Sequence, residues 1–310
     1  MAEISAKMVK DLREMTGAGM MDCKKALTET DGDMDKAVEY LKEHGQAKAE
    51  KKASRIAAEG ISIAYVKDEK TASVVEVNSE TDFVAKNEQF RSFVESVARQ
   101  AAETTAADVD ALLAEPWIED GSKTVQEALV EKIATIGENL KIRRFEKVTA
   151  ANGCVVTYVH GGGRIGVVVE AETDNVNDSV KEALTNIAMQ VAAMHPQYVS
   201  RSEVSDEYIA KEKETLKAQI MNDPKESQKP EKVINGMIEG RISKELKEIC
   251  LLDQVYVRAE DGKQTVAKYL ESVGKEAGSP VSVKRFVRFE TGEGLEKKNE
   301  DFAAEVAAQL

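Results

Sequence analysis

The chain repeats itself, and the repeat limits the folds open to it. Residues 59–82, EGISIAYVKDEKTASVVEVNSETD, share a pattern with residues 152–174, NGCVVTYVHGGGRIGVVVEAETD. Each reads as a β-hairpin: a strand carrying Tyr-Val, a turn, a strand carrying Val-Val-Glu, then Glu-Thr-Asp. A helical pattern follows each copy. Its apolar positions are Phe90, Phe93, Val94, Val97 and Ala98 in the first, and Val180, Leu184, Ile187, Ala188 and Val191 in the second. The likeness then resumes. TVQEALVEKIATIGENLKIRRF (124–145) aligns without gaps on TVAKYLESVGKEAGSPVSVKRF (265–286), each reading helix, glycine stop, strand. The early segments are offset by about 93 positions and the late ones by about 141, so the second copy carries an insertion of roughly 48 residues. Two β-β-α-α-β modules side by side predict an α+β core.

The insertion falls within about 195–263. Val204, Tyr208, Ile209, Leu216 and Ile220 form one apolar stripe, and Val233, Ile234, Met237, Ile238, Ile242, Leu246 and Ile249 form another. Pro224 and Pro230 bracket the polar loop between them, which predicts an antiparallel, coiled-coil-like hairpin. Projecting from a compact core, it is expected to leave part of its apolar face free for a partner. Ahead of the repeat, residues 1–45 read as a three-helix unit with Thr16-Gly17-Ala18-Gly19 as the first turn, Asp33 as an N-cap and Gly45 as the last stop. Residues 46–58, QAKAEKKASRIAA, read as a helical or flexible linker. Core halves follow at 59–148 and 149–288. Residues 289–310 form a C-terminal module ending in a short amphipathic helix with Phe302, Val306 and Leu310 near one face.

The three cysteines, Cys23, Cys154 and Cys250, are far apart and odd in number, which suggests neither a disulfide framework nor a thiolate metal site. His44, His160 and His195 lack metal-ligand spacing, so no metal and no cofactor is expected. Asp31, Asp33 and Asp35 imitate a calcium loop, but Lys36 and Lys42 stand where glycine and glutamate are needed. Gly17-Ala18-Gly19 has no preceding strand and no GKS or GKT, so a helix–helix turn is the better reading than a phosphate loop. A net charge of −13 and 5% aromatic residues argue against a nucleic-acid binder. MAEISAKMVK has no apolar signal core, and no apolar run is long enough to span a membrane. A soluble, cytoplasmic protein that does not bind membranes is the expectation.

Comparing the copies isolates one residue. The first runs Glu80-Thr81-Asp82-Phe83-Val84-Ala85-Lys86, the second Glu172-Thr173-Asp174-Asn175-Val176-Asn177-Asp178. Thr-Asp suits turn and cap chemistry in both. The aromatic is dispensable for building the module, because the second copy does without it. The residues alone leave two readings of Phe83, an internal core side chain or a wedge facing a partner. Met20 and Met21 divide similarly: adjacent on one helix, they cannot both point inward, so one is free as a soft contact surface. No nucleophile–base set can be picked out, and Cys154 with His160 reads as a core thiol and a turn histidine. A pure scaffold or ribosome-associated chaperone and a hydrolase or transferase stand as alternatives from other classes.

LREMTGAGMMDCKKAL (12–27) and EVNSETDFVAK (76–86) resemble the two signatures of bacterial-type translation elongation factor Ts, and IGENLKIRR (136–144), HGGGRIGVVV (160–169) and FAAEVAAQL (302–310) resemble further segments of that family. The resemblance runs nearly the full length, in order. It implies a ubiquitin-associated-type N-terminal domain, a core of two subdomains, a helical-hairpin dimerisation module and a C-terminal helical module. It implies a guanine-nucleotide exchange factor, not an enzyme, whose partner is elongation factor Tu, with a homodimer or heterotetramer formed through the hairpin. Thr81, Asp82, Phe83 and Val84 would approach the magnesium and phosphate end of the partner's nucleotide site. Leu12, Met20 and Met21, together with Phe302 and Val306, would hold the partner elsewhere.

Overall fold

A computed structural model describes residues 4–296. Three helices open the chain: α1 (Ala6–Thr16), α2 (Met20–Glu29) and α3 (Met34–Lys52). Each boundary has a local cause. Ser5 caps α1 through the Met8 amide at 3.2 Å, and Gly17 ends it at φ +68°, a conformation that favours glycine. Asp33 caps α3 through the Lys36 amide at 3.1 Å, as the sequence predicts. Val9, Leu12, Cys23, Ala26, Leu27 and Ala37 form the small core of this unit. The expected stop at Gly45 is corrected: α3 runs seven residues past it. Gly45 instead lies against a later helix, where a Cβ would sit 3.7 Å from both Val130 and Ala134. The stretch expected as a linker is partly helix because QAKAEKK is built almost wholly of strong helix formers.

The first module comprises β1 (Glu59–Val66), β2 (Thr71–Ser79), the four-residue α4 (Asp82–Ala85), α5 (Glu88–Glu103), α6 (Val109–Ala114), the short ribbon β3 (Pro116–Trp117) and β4 (Asp120–Thr124), α7 (Val125–Ile136) and β5 (Lys141–Thr149). The second comprises β6 (Cys154–His160), β7 (Ile165–Glu172), α8 (Asp178–Met194), the hairpin α9 (Asp206–Asn222) and α10 (Glu231–Ile249), α11 (Val266–Ala277) and β8 (Ser282–Glu290). The strands form antiparallel sheets ordered β1–β2–β5 and β6–β7–β8. The duplication extends to the irregularities. β2–β5 shifts register after Glu76 and β7–β8 after Glu170, while α7 and α11 both end on a left-handed glycine, Gly137 and Gly278. Residues 104–123 gave no sequence signal. They hold α6 and the ribbon, which brings Trp117 to within 5.4 Å of the Phe93 ring.

One face of each sheet is covered by its own helix, α5 or α8, whose expected apolar positions are all buried. The other faces meet each other through Ala72, Val74, Val148, Val155, Val168 and Phe289. The middle strands are therefore buried on both sides, which is why ASVVEVNS and IGVVVEA read as near-continuous apolar runs. At Gly163, φ is +109° and a Cβ would lie 2.9 Å from that of Ile61, so only glycine allows this approach of the two halves.

A wholly buried carboxylate, Glu76, lies in the layer between the sheets. It accepts hydrogen bonds from Arg143 Nη1 at 2.9 Å, Arg144 Nε at 2.6 Å, Asn78 Nδ2 at 3.1 Å and the Gly292 amide at 2.8 Å. The bulge in β5 supplies the geometry: it turns two consecutive arginines onto one carboxylate. Arg144 also stacks over Phe289 at 4.2 Å.

The hairpin seals the centre of its apolar seam and leaves Tyr208, Ile209, Leu216, Met237 and Ile249 half-buried along it. Ile220, Ile234, Ile238, Ile242 and Leu246 are buried within it, so α9 and α10 close the seam themselves. The large apolar side chains that α9 and α10 leave exposed are Met221 and Val233, at the loop end. Replacing Glu76 by alanine strands two arginines, so Glu76→Ala is expected to cost about 3–5 kcal/mol in urea denaturation.

Candidate functional site

The turn after β2 is fixed from both ends. Thr81 caps α4, its hydroxyl accepting from the Val84 amide at 3.3 Å. That hydroxyl donates in turn to Glu138 Oε1 at 2.7 Å. Glu138 Oε2 accepts the amides of Glu80 and Thr81, each at 3.1 Å. The contact is reciprocal, because the Glu80 carboxylate takes the Asn139 amide at 2.6 Å. At the far end Arg91 donates to the carbonyls of Ala85, at 3.3 Å, and Gly162, at 2.9 Å. Val84 and Ala85 pack on the first core cluster.

With α4 held on its inner side, Phe83 points outward and is 79% exposed. Of the two readings left by the sequence, the internal one is excluded: Phe83 is not part of the core. Asp82 pairs with Lys86 at 2.6 Å on the outer face, an exposed ion pair of little energetic weight.

On the helical unit, Met20 and Met21 are 59% and 73% exposed, so both are surface residues. Met15 at the end of α1 is exposed as well, a third methionine that the sequence reading missed. No sequence signal marked it: three residues after Leu12 and seven after the half-buried Met8, its spacing continues the apolar stripe of α1. Leu12 requires correction. It has no exposed surface and belongs to the core of the unit, so it supports the helices and is not itself presented to a partner. Phe302 and Val306 lie outside the described residues.

The three thiols are buried, and burial raises each pKa, which disfavours the nucleophilic thiolate. Cys154 and His160 occupy opposite ends of β6, and the His160 ring meets the Tyr158 hydroxyl at 3.0 Å. Among the described residues no cluster of three metal-ligating side chains occurs, and no helix is long and apolar enough to cross a membrane.

Fold and site thus define an α+β protein with a duplicated two-sheet core, a helical N-terminal unit and, among the described residues, one fully outward-facing aromatic side chain, Phe83. The family model described as Elongation factor TS matches residues 80–293. The chain is 54% identical over 308 residues to the elongation factor Ts of Clostridium novyi (strain NT), covering 99% of both chains. It is 51% identical over 308 residues to that of Clostridium botulinum (strain Eklund 17B / Type B), again covering 99% of both, and 53% identical over 305 residues to that of Clostridium perfringens (strain 13 / Type A), covering 98% of both. The chain belongs to the elongation factor Ts family.

Exposure separates these side chains in stability measurements. Phe83→Ala and Met21→Ala are expected to change unfolding free energy by no more than about 0.5 kcal/mol. Leu12→Ala is expected to destabilise the helical unit by about 2–5 kcal/mol, read by hydrogen exchange of α1 and α2 amides.

Proposed function

We propose that this chain promotes release of GDP from elongation factor Tu, with Phe83 as the displacing side chain. The observation that carries this reading is the exposure of that one aromatic on a turn clamped from both sides, in the copy of the repeat that has it. GDP is held largely through magnesium and backbone amides around its phosphates. Moving those elements by about an ångström removes charge-assisted contacts. A factor that binds the nucleotide-free partner more tightly than the nucleotide-bound one must weaken GDP by the same factor. Thr81 and Val84 hold the turn, and Asp82 offers hydrogen bonds to the partner. No covalent step is invoked, so the protein acts as a binding factor and not as an enzyme.

Magnitude divides the labour. Burying one phenylalanine is worth about 1.5–3 kcal/mol. That corresponds to about 10- to 200-fold, at about 1.4 kcal/mol per decade. Any further stabilisation of the complex comes from elsewhere. The methionines Met15, Met20 and Met21 form a soft apolar surface suited to a helix of the partner, and we assign Phe302 and Val306 to the same task at the other end of the chain. A homodimer or heterotetramer built on the hairpin would use the exposed Met221 and Val233 and the half-buried Ile209, Leu216, Met237 and Ile249. With this partner the site of action is the cytoplasm.

Stopped-flow release of fluorescent GDP from elongation factor Tu tests the reading. Phe83→Ala is expected to lower the maximal release rate by about tenfold or more while a complex stays detectable by calorimetry. Unchanged release with this variant would refute the role of Phe83, and lack of acceleration by the wild-type chain would favour a pure scaffold. Met20→Ala with Met21→Ala is expected to raise the half-saturating factor concentration about tenfold and to leave the maximal rate nearly unchanged.

A further inference from the structure

Two turns of the first module are locked together by acidic side chains, and the second module does without them. Glu138 accepts from the Glu80 amide, the Thr81 amide and the Thr81 hydroxyl, while Glu80 accepts from the Asn139 amide. In the second module the position matching Glu138 is Ser279. Its hydroxyl accepts from the Asp174 amide at 3.3 Å and from Thr173 Oγ1 at the long distance of 3.5 Å. Glu172, matching Glu80, is solvent-exposed. Both modules fold, so the glutamate lock is more than the module needs. It occurs where the turn carries an exposed phenylalanine and is replaced by a serine where the turn carries Asn175.

We propose that Glu138 is a positioning residue for Phe83. Its carboxylate holds the Thr81 cap and thereby fixes the direction in which the aromatic projects, so it acts on nucleotide exchange through Phe83 and not by touching the partner. This rests on the exchange reading above. The chemistry suits the task. A carboxylate accepting two amides and a hydroxyl makes charge-assisted bonds, stronger than the neutral ones that join the matching turns of the second module through Ser279 and from Asn175 Nδ2 to the Ala277 carbonyl at 2.7 Å. A four-residue helix has no independent stability and takes its orientation from its cap. The lock also reaches the segment that joins α3 to β1: Asn139 Nδ2 donates to the Arg55 carbonyl at 2.8 Å, and Arg55 Nη1 lies 3.5 Å from Glu80 Oε1.

The test is a double-mutant cycle on the full chain, read by stopped-flow release of fluorescent GDP from elongation factor Tu across a range of factor concentrations. Glu138→Ala is expected to lower the plateau rate about three- to tenfold with the half-saturating concentration unchanged. Glu138→Gln keeps one oxygen for the two amides but offers an amide group to the Thr81 hydroxyl. Its plateau is expected between wild type and Glu138→Ala, and it decides the matter should the alanine variant fail to fold. Phe83→Ala/Glu138→Ala is expected to be no slower than Phe83→Ala alone. Equal slowing by Glu138→Ala in the wild-type and Phe83→Ala backgrounds overturns the proposal. So does a Gln variant indistinguishable from wild type, or a shift confined to the half-saturating concentration with a lowered melting temperature, which marks a structural role only. A Phe83→Ala single variant with normal release overturns the role of Phe83, and a wild-type chain that does not accelerate release overturns the exchange reading itself, so the failures are told apart.

Discussion

A carboxylate with no exposed surface, set between two sheets, organises the molecule. Burying an unpaired Glu76 would be prohibitive, because desolvation of an ion costs several kcal/mol. It is tolerated because Arg143, Arg144, Asn78 and the Gly292 amide converge on it. The consequence is directional. Arg143 donates also to the Glu293 carbonyl and Arg144 to the Glu290 carbonyl, so the end of β8 is fastened to β5 through the same carboxylate. The two halves cannot slide without exposing that charge. The second module has a weaker counterpart, a single Arg285–Glu170 pair at 3.3 Å, with the exposed Lys284 at the position matching Arg143. One half of the duplication therefore carries the joint, and the other half is joined to it.

The same asymmetry appears at the turns. The modules agree in strand order, bulge position and helix stops, which are the features a β-β-α-α-β unit needs to close. They differ where closing the unit places no demand: Phe83 against Asn175, Glu138 against Ser279, and the long insertion between α8 and α11. Val130 and Ala134 of α7 face Gly45 of α3, whereas the matching Glu271 and Lys275 of α11 pair with each other at 2.6 Å in solvent. A face that is covered by a helix in one copy is closed off by charge in the other. Duplication supplied two equal frames, and substitution at a few surface positions gave them different neighbours.

Much of this was legible because it follows from periodicity and from glycine. The buried faces of α5 and α8, the stops at Gly137 and Gly278, and the two β-hairpins all rest on local patterns. Gly45 misled for a physical reason: glycine serves both as a helix terminator and as a close-packing position, and a single sequence does not separate the two. Residues 104–123 were silent because a six-residue helix and a two-strand ribbon are too short for a period to register. The hairpin stripes are buried at Ile220, Ile234, Ile238, Ile242 and Leu246 but not at Val233, because how much of a stripe its partner helix covers is a tertiary fact. At the candidate site the comparison of copies singled out Phe83, yet left its exposure open. Glu138 was visible only as part of a family segment, because its bonds reach across 57 and 58 residues of chain.

A displacing side chain must resist being displaced. Were Phe83 on a mobile loop, contact with a partner would first be spent on ordering the loop, at roughly 1–2 kcal/mol of backbone entropy per residue. For the four residues of α4 that loss, about 4–8 kcal/mol, exceeds the whole gain from burying the ring. Here the ordering is met within the fold, by the Thr81 cap, by Arg91 bridging the Ala85 and Gly162 carbonyls, and by Val84 and Ala85 seated on the core. Arg91 reaches into the second module, so the wedge is braced against both halves of a body that Glu76 holds rigid. On the proposed reading, the exposed aromatic and the buried carboxylate work together: a contact meant to move another protein's backbone needs a firm support behind it, and the joined sheets would supply it.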